Sequence, residues 1–218
     1  MKRISGLSLL LLSACAQLPP SQPQLDTPVT VPEAEAVVTA RPQLTAELQQ
    51  QFTAAKQLLL DKDYPAALSQ FSQLSKQAPD AGGIWYNLAL AQWYTRQTDA
   101  AQLSLQQAID VAPQHSDSHN LLGVLARQRG DMRAAERHFK QALAGGEPYA
   151  MAHKNLAFLY ELYLGLPLQA HYHYQQYYQL TQDEQVKLWL ALLEQELDQQ
   201  QVTDSTVPAA TLQENGND

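Results

Sequence analysis

A fixed interval between small side chains constrains the fold of this 218-residue chain more than any other feature. Alanine or glycine occupies four evenly spaced positions, and leucine precedes three of the four. The four positions, which define a 34-residue period, are Ala55, Ala89, Gly123 and Ala157. Self-similarity at a fixed period of this length is typical of arrays in which each unit is one supersecondary element. We therefore predict a repeat array, with an unrelated helical bundle as the alternative.

Further landmarks recur in the four units and indicate pairs of helices. A second small position holds Ala67, Ala101, Ala135 and Ala170. A larger residue follows four positions later, at Phe71, Leu105, Phe139 and Tyr174, and proline closes the first three units at Pro79, Pro113 and Pro148. Good helix formers fill the segments between these breakers, and small residues allow two helices to approach closely. Each unit is therefore predicted to be an antiparallel helix pair, and the fourth contains one added residue near 164–167.

The period, the two small positions, the large position and the closing proline together resemble the tetratricopeptide repeat (TPR). Unit two carries the most familiar segment of that family, Trp-Tyr-Asn-Leu-Ala at 85–89. The resemblance implies an all-α fold, a TPR α-solenoid of about four helix-turn-helix repeats with a C-terminal capping helix. The repeats would fill residues 45–184, with units at about 48–81, 82–115, 116–149 and 150–184.

A capping helix is predicted at residues 185–201, after the fourth unit. Its large apolar residues fall on one stripe that consists of Val186, Leu190, Leu193 and Leu197. A helix of this kind covers the apolar end of an array with one side, while its other side meets water. Residues 202–218 hold turn formers and few large apolar side chains, so we predict a disordered tail there.

The N-terminus has the layout of a secretory signal. Lys2 and Arg3 precede a short apolar segment at 4–12, and two small residues lead to Cys15. The ending Leu-Ser-Ala-Cys at 12–15 resembles the bacterial lipobox, which implies that residues 1–15 are a lipoprotein signal with Cys15 as an acylated first mature residue. In that family, alanine rather than aspartate after the cysteine is typical of sorting to the outer membrane. An ordinary secretory signal is the alternative.

Residues 16–44 are predicted to be a linker between this anchor and the repeats. Six of the twelve prolines lie in the segment, which contains no glycine and no apolar period. Proline-rich chains are semi-rigid and extend by about 3.1 Å per residue. The linker would therefore hold a folded body at a distance from the lipid.

Composition and motifs argue against catalysis, metal binding and nucleic-acid binding. The formal net charge of −8 disfavours phosphate backbones, and a single cysteine excludes both an internal disulfide and a cysteine cluster for zinc. His115 and His119 fall in a turn and at a packing position, while His171 and His173 are two positions apart and would diverge on a helix. No nucleophile elbow, phosphate loop or dinucleotide fingerprint occurs. We predict no catalytic residue, no metal site and no cofactor.

The resemblance to the tetratricopeptide repeat places candidate binding residues on the first helix of each unit, which lines the inner groove of that fold. The candidates are Tyr86, Asn87, Leu90, Trp93, Tyr94, Asn120, Val124, Arg127, Lys154 and Phe158. Tyrosine and tryptophan are frequent binding anchors because they bury a large area at low entropic cost. In peptide-binding members of the family, the asparagine that matches Asn87 often bonds a ligand backbone. The alternative is that Trp93 and Tyr94 only pack against adjacent helices.

Anchor, linker and array together resemble small envelope lipoproteins of Gram-negative bacteria, such as pilotin-like factors for pilus or secretin assembly. The resemblance implies a non-enzymatic scaffold, tethered to the outer membrane and facing the periplasm. Its groove would bind a segment of a periplasmic or outer-membrane protein. Two alternatives are an accessory subunit of an energy-transducing or transport complex and an adaptor for cell-wall hydrolases. An envelope enzyme is the least favoured reading, and the sequence predicts no oligomeric state.

Overall fold

The computed structural model describes residues 44–206, so the predicted lipid anchor, the linker up to residue 43 and the tail beyond residue 206 lie outside it. Within that range all regular structure is helical. The helices are α1 (Ala46–Leu60), α2 (Tyr64–Gln77), α3 (Gly82–Tyr94), α4 (Thr98–Val111), α5 (Ser116–Gln128), α6 (Met132–Leu143), α7 (Ala150–Leu159), a π-helix (Tyr160–Leu164), α8 (Pro167–Thr181) and α9 (Glu184–Thr206). The predicted fold, four helix-turn-helix units followed by a capping helix, is confirmed.

The turn between the two helices has the same left-handed backbone conformation in all four units. Lys62, Arg96 and Gly130 are separated by exact repeat periods, and their φ angles of 63°, 64° and 83° are all left-handed. Gly165 takes the same place in unit four, with a φ of 61°. Side chains with a Cβ rarely adopt this conformation. The left-handed conformation of the turn therefore recurs in every unit, although the residue type at that position differs between units.

The small residues that define the period lie where paired helices touch. Ala55, Ala89 and Ala157 have no solvent-exposed surface. A Cβ added at Gly123 of α5 would lie 2.5 Å from two ring atoms of Phe139 on α6. Such a contact is far inside van der Waals distance, so the close approach of the two helices requires a glycine there.

Trp85 and His119, which occupy the same position in units two and three, make the same hydrogen bond. The Trp85 indole Nε1 donates to the carbonyl oxygen of Pro79 at 2.8 Å. The His119 Nε2 lies 2.8 Å from the carbonyl oxygen of Pro113. Since a carbonyl can only accept, His119 carries its proton on Nε2. Each ring thus joins the first helix of its unit to the proline that closes the preceding unit.

The added residue of unit four is absorbed by the π-helix between α7 and α8. Its wider turn ends at Gly165, and the Leu166 N–H then donates to the carbonyl oxygen of Tyr160 at 2.9 Å. Single π-turns inside α-helices accommodate one extra residue without breaking the backbone ladder. Unit four consequently keeps its helix pairing, while equivalent positions in α6 and α8 are separated by one position more than the period.

Helix α9 packs as the first helix of an incomplete fifth unit. Val186 falls one period after Ala152, and it continues a column of fully or nearly fully buried positions. That column consists of Ile84, Ser118, Ala152 and Val186. Lys187 pairs with Glu184 at 2.8 Å within α9, and Glu194 reaches back to His171 of α8 at 2.8 Å. Ala191, one period after the buried Ala157, is exposed, since no second helix follows α9 in the described part of the chain.

Helix α9 also extends past its predicted end, because it runs to Thr206 rather than to position 201. The tail predicted from residue 202 is therefore helical over 202–206. Segment 202–206 contains no glycine or proline, and the first breaker is Pro208, which disfavours helical geometry at the residue before it. Turn-forming side chains alone did not end the helix. Of the helices from 44 to 206, none combines the length and apolar character needed to cross a bilayer.

Candidate binding groove

The predicted binding residues fall into columns on the face formed by α3, α5 and α7. One column consists of Tyr86, Asn120 and Lys154, and the next consists of Leu90, Val124 and Phe158. Trp93 and Arg127 begin a third column, one helical turn further along. All eight side chains are half-buried, and Tyr94 beside them is 47% exposed. The periodic backbone thus brings residues from three units onto one surface.

An aromatic pocket lies at one edge of this face, where the helices of units one and two turn. The rings of Tyr64 and Tyr94 stack with centroids 4.3 Å apart and planes 13° apart. The Trp93 and Tyr94 centroids are 5.2 Å apart. The pocket has a volume of about 510 Å³ and is lined by Tyr64, Trp93, Tyr94, Arg96, Thr98 and Gln128. It could hold one side chain of a bound polypeptide between aromatic rings and a guanidinium group.

Of the residues that line this pocket, the sequence predicted Trp93 and Tyr94 as binding residues but not Tyr64, Arg96 and Thr98. Arg96 lies in the turn between α3 and α4, Thr98 is the first residue of α4, and Tyr64 is the first residue of α2. The groove positions transferred from the family lie only on first helices. The regular reversal at Lys62 and Arg96 is the signal that could have found them, because equivalent turns of stacked units are neighbours.

Asn87 and Asn155 form hydrogen bonds within the chain. Asn87 is 8% exposed, and its Nδ2 donates to the carbonyl oxygen of Gly83 at 2.7 Å. The Nδ2 of Asn155 donates to the Oδ1 of Asn120 at 2.8 Å. Asn87 therefore lies at the floor of the groove, and Asn120 connects α5 to α7.

Asp117, in the first turn of α5, bonds one tyrosine and lies near a second. The Tyr149 hydroxyl donates to the Oδ1 of Asp117 at 2.6 Å. Burial, together with this bond, raises the pKa of Tyr149 well above its usual range. Burial also raises the pKa of Tyr86, with the nearby Asp117 carboxylate as the next cause. Both phenols therefore stay protonated near neutral pH, where they act as hydrogen-bond donors.

The C-terminal end of the face is closed by Trp189 of α9. The Lys154 ammonium lies 5.4 Å from the Trp189 ring, 5.1 Å from the Tyr177 ring and 5.9 Å from the Phe158 ring. A lysine this close to three rings is stabilised by cation–π attraction. Lys154 and Phe158 are therefore engaged with α8 and α9, so the open part of the groove is formed by α3 and α5.

The structure brings together two histidine pairs, at equivalent positions of units three and four, that sequence spacing did not reveal. The rings of His119 and His138 stack with centroids 5.9 Å apart. The Nδ1 atoms of His153 and His173 are 2.9 Å apart, across α7 and α8. Burial, His153 and Lys140 lower the pKa of His173 to about 4. His115 accepts a hydrogen bond from the Ser118 backbone N–H as the N-cap of α5. Over residues 44–206, no three histidine, cysteine, aspartate or glutamate side chains are grouped so that they could hold a metal ion.

Comparisons with known proteins agree with this geometry. A family model described as tetratricopeptide repeat matches residues 52–93 and 86–150. No curated protein matches the chain. Three solved structures illustrate the likeness of fold.

The first is MamA, which is 17% identical over 61% of this chain and 77% of its own, with a TM-score of 0.53. The second is TTC0263, a thermophilic TPR protein of Thermus thermophilus. It is 22% identical over 69% of this chain and 82% of its own, with a TM-score of 0.57. The third comes from a functional characterisation of Pseudomonas aeruginosa PilF. It is 15% identical over 70% of this chain and 69% of its own, with a TM-score of 0.63. At these identities the likeness shows the fold.

Proposed function

Because a tetratricopeptide-repeat family model matches residues 52–93 and 86–150, we propose that the chain is a non-enzymatic scaffold that binds a segment of another protein in the groove lined by α3 and α5. The aromatic pocket of Tyr64, Trp93 and Tyr94 is the observation that carries this proposal. Tetratricopeptide repeats are protein-interaction modules, and large aromatic side chains at a concave edge are the commonest binding anchors. The groove would anchor one side chain there and hold the rest of the segment across α5.

Charge in the open groove favours this role. Arg127 of α5 and Arg96 beside the pocket have no ion-pair partner among the described residues. Asp117 already accepts the hydroxyl of Tyr149. The groove thus offers two guanidinium groups as hydrogen-bond donors to a bound segment. Its carboxylate, Asp117, already accepts a hydrogen bond within the chain.

We propose further that the scaffold is tethered to the outer membrane through an acylated Cys15 and works in the periplasm. The support is the layout of residues 2–15 and the proline-rich segment that follows. Tethering confines the groove to a surface and raises the effective concentration of its partner there. The envelope machine we favour is a pilus or secretin assembly, and the fold likeness to PilF is consistent with that choice.

Site-specific crosslinking tests the groove. A photo-reactive phenylalanine analogue replaces Tyr94 in the groove or, as the control, Leu103 on the outer side of α4, which is 70% exposed. Irradiated membranes of the native host should yield a discrete protein adduct from the Tyr94 position and none from the Leu103 position. Equal adducts from both positions, or none from either, would contradict the proposal.

Trp93→Ala separates binding from packing once the adduct has been identified. Truncating an interface anchor costs about 2 kcal/mol or more, so affinity for the identified partner should fall at least about 30-fold. The melting temperature should change little, because Trp93 is only half-buried. A large thermal loss with unchanged affinity would assign Trp93 to the core instead.

A further inference from the structure

The outer surface of unit four differs in chemistry from that of unit three at equivalent positions. Asp131, Arg133 and Arg137 of unit three are replaced in unit four by Leu166, Leu168 and Tyr172. These replacements are 38%, 67% and 53% exposed, and Tyr163 on the adjoining turn is 52% exposed. We call these four side chains the apolar patch. Its exposure needs an explanation, since the equivalent turns of units one to three are polar.

A basic stripe lies on the preceding second helix. Arg133 and Arg137 are one turn apart on α6, both are exposed, and neither has an ion-pair partner within the described part of the chain. Leu168 and Tyr172 are likewise one turn apart on α8. Because α6 and α8 hold the same place in successive units, the basic stripe and the apolar patch face outward on the same side.

Few acidic side chains lie near the apolar patch and the basic stripe, and those on α6 are hydrogen-bonded within the chain. Helix α8 contains no aspartate or glutamate at all. Glu136 of α6 is engaged, since it accepts the Lys140 ammonium at 2.6 Å and the Tyr160 hydroxyl at 2.8 Å. Asp131 accepts the backbone N–H of Ala134 as the N-cap of α6. Arg133, Arg137 and Lys140 outnumber Asp131 and Glu136 on this helix and its N-cap, so the surface is slightly positive on a chain whose formal charge is −8.

We propose that the apolar patch and the basic stripe together bind an anionic lipid surface. Leucine and tyrosine side chains enter the boundary between headgroups and acyl chains, while arginines beside them attract lipid phosphates. The apolar patch consists of four side chains, far fewer than the roughly 20–30 residues that each partner contributes to a stable interface, so a second copy of the chain is a poorer fit. This surface faces away from the groove, and it therefore adds a second contact to the proposed function.

Fluorescence of a label at residue 168 tests the lipid assignment in the full chain. An environment-sensitive dye is attached to Leu168→Cys or, as the control, to Leu103→Cys, both in a Cys15→Ser background. Leu103 occupies the position in unit two that Tyr172 occupies in unit four, and it is 70% exposed. Vesicles contain phosphatidylcholine alone or phosphatidylcholine with phosphatidylglycerol.

The dye at residue 168 should shift to shorter wavelength on the phosphatidylglycerol vesicles, less on phosphatidylcholine alone, and not at all at residue 103. Arg133→Gln with Arg137→Gln should raise the lipid concentration for half-maximal shift about 25-fold, or about fivefold for each arginine. Equal shifts at both positions would mean binding through another segment and would overturn the proposal. An unresponsive dye at 168 would also overturn it, and would leave a protein as the partner of the patch. Neither outcome bears on crosslinking from Tyr94.

Discussion

The presence or absence of one Cβ atom determines how closely the two helices of a unit can approach. Gly123 has Phe139 directly above the place where a Cβ would stand, at 2.5 Å. Gly83, on the neighbouring first helix α3, has nothing within 4 Å of the same atom. Both glycines are helical with ordinary φ angles, so they form a natural pair of test and control.

Gly123→Ala should destabilise the fold by about 1–3 kcal/mol, because the added methyl overpacks the contact with Phe139. Gly83→Ala should leave stability unchanged or raise it by up to about 1 kcal/mol, because alanine is the better helix former. Urea unfolding at pH 7 measures both. If Gly123→Ala proved as harmless as Gly83→Ala, the close contact between α5 and α6 would be wrong.

At the scale of the element, unit four has its own pH response. His173 on α8 is packed against His153 of α7, and Lys140 of α6 and the Tyr160 ring are also near it. The pKa of His173 falls to about 4 from an ordinary value of 6.5. The unfolded chain therefore binds a proton at this residue between those two values, and the folded chain does not.

Stability should consequently decline as the pH falls from about 6.5 toward 4. His173 is only partly buried and solvent screens its charge, so its contribution should be on the order of 1 kcal/mol. His173→Gln should flatten part of this profile, and His138 and His153, whose pKa values burial also lowers, account for the slope that remains. Unfolding free energies at pH 7.0, 6.0 and 5.0 provide the measurement. Parallel profiles for wild type and His173→Gln would contradict the assignment.

Repetition explains which elements were predictable. The four helix pairs follow from residues such as Ala55 and Phe71, because a packing rule that recurs at a fixed period is visible without coordinates. The π-helix was not predictable, since an added residue can be absorbed as a loop or as a wide turn at similar cost. Only part of the pocket was predictable. Trp93 lies on the helix face that repeats in every unit, whereas Tyr64 joins the pocket because the turns of neighbouring units stack. The contact between His153 and His173 was not predicted either, although His119 and His138 make an equivalent contact one unit earlier.

At the scale of the whole molecule, the proposals combine a groove, a lipid-facing outer surface and an acylated N-terminus. The anchor rests on the sequence of residues 2–15, and the two surfaces rest on the described repeats. The two proposed attachments to lipid depend on different forces. Acyl chains bind the membrane by hydrophobic burial, whereas arginines bind it by electrostatic attraction. Salt can therefore tell them apart.

Cys15→Ser should move the chain from the membrane fraction to a soluble or unprocessed pool after a wash in about 1 M salt, where the Debye length is about 3 Å. The wild-type chain should remain with the membrane under the same wash, because several acyl chains anchor a protein almost permanently. Fractionation followed by immunoblotting distinguishes the two. Retention of Cys15→Ser after the salt wash would count against lipidation.

The register of α9 has a consequence for how such a chain can change in length. Val186 comes one period after Ala152, just as Ala152 comes one period after Ser118, so α5, α7 and α9 each dock on the preceding second helix in the same register. One whole repeat is therefore a unit of insertion or deletion at the level of the gene. An array built in this way can be lengthened or shortened by whole repeats, with α9 as the same final helix in each version.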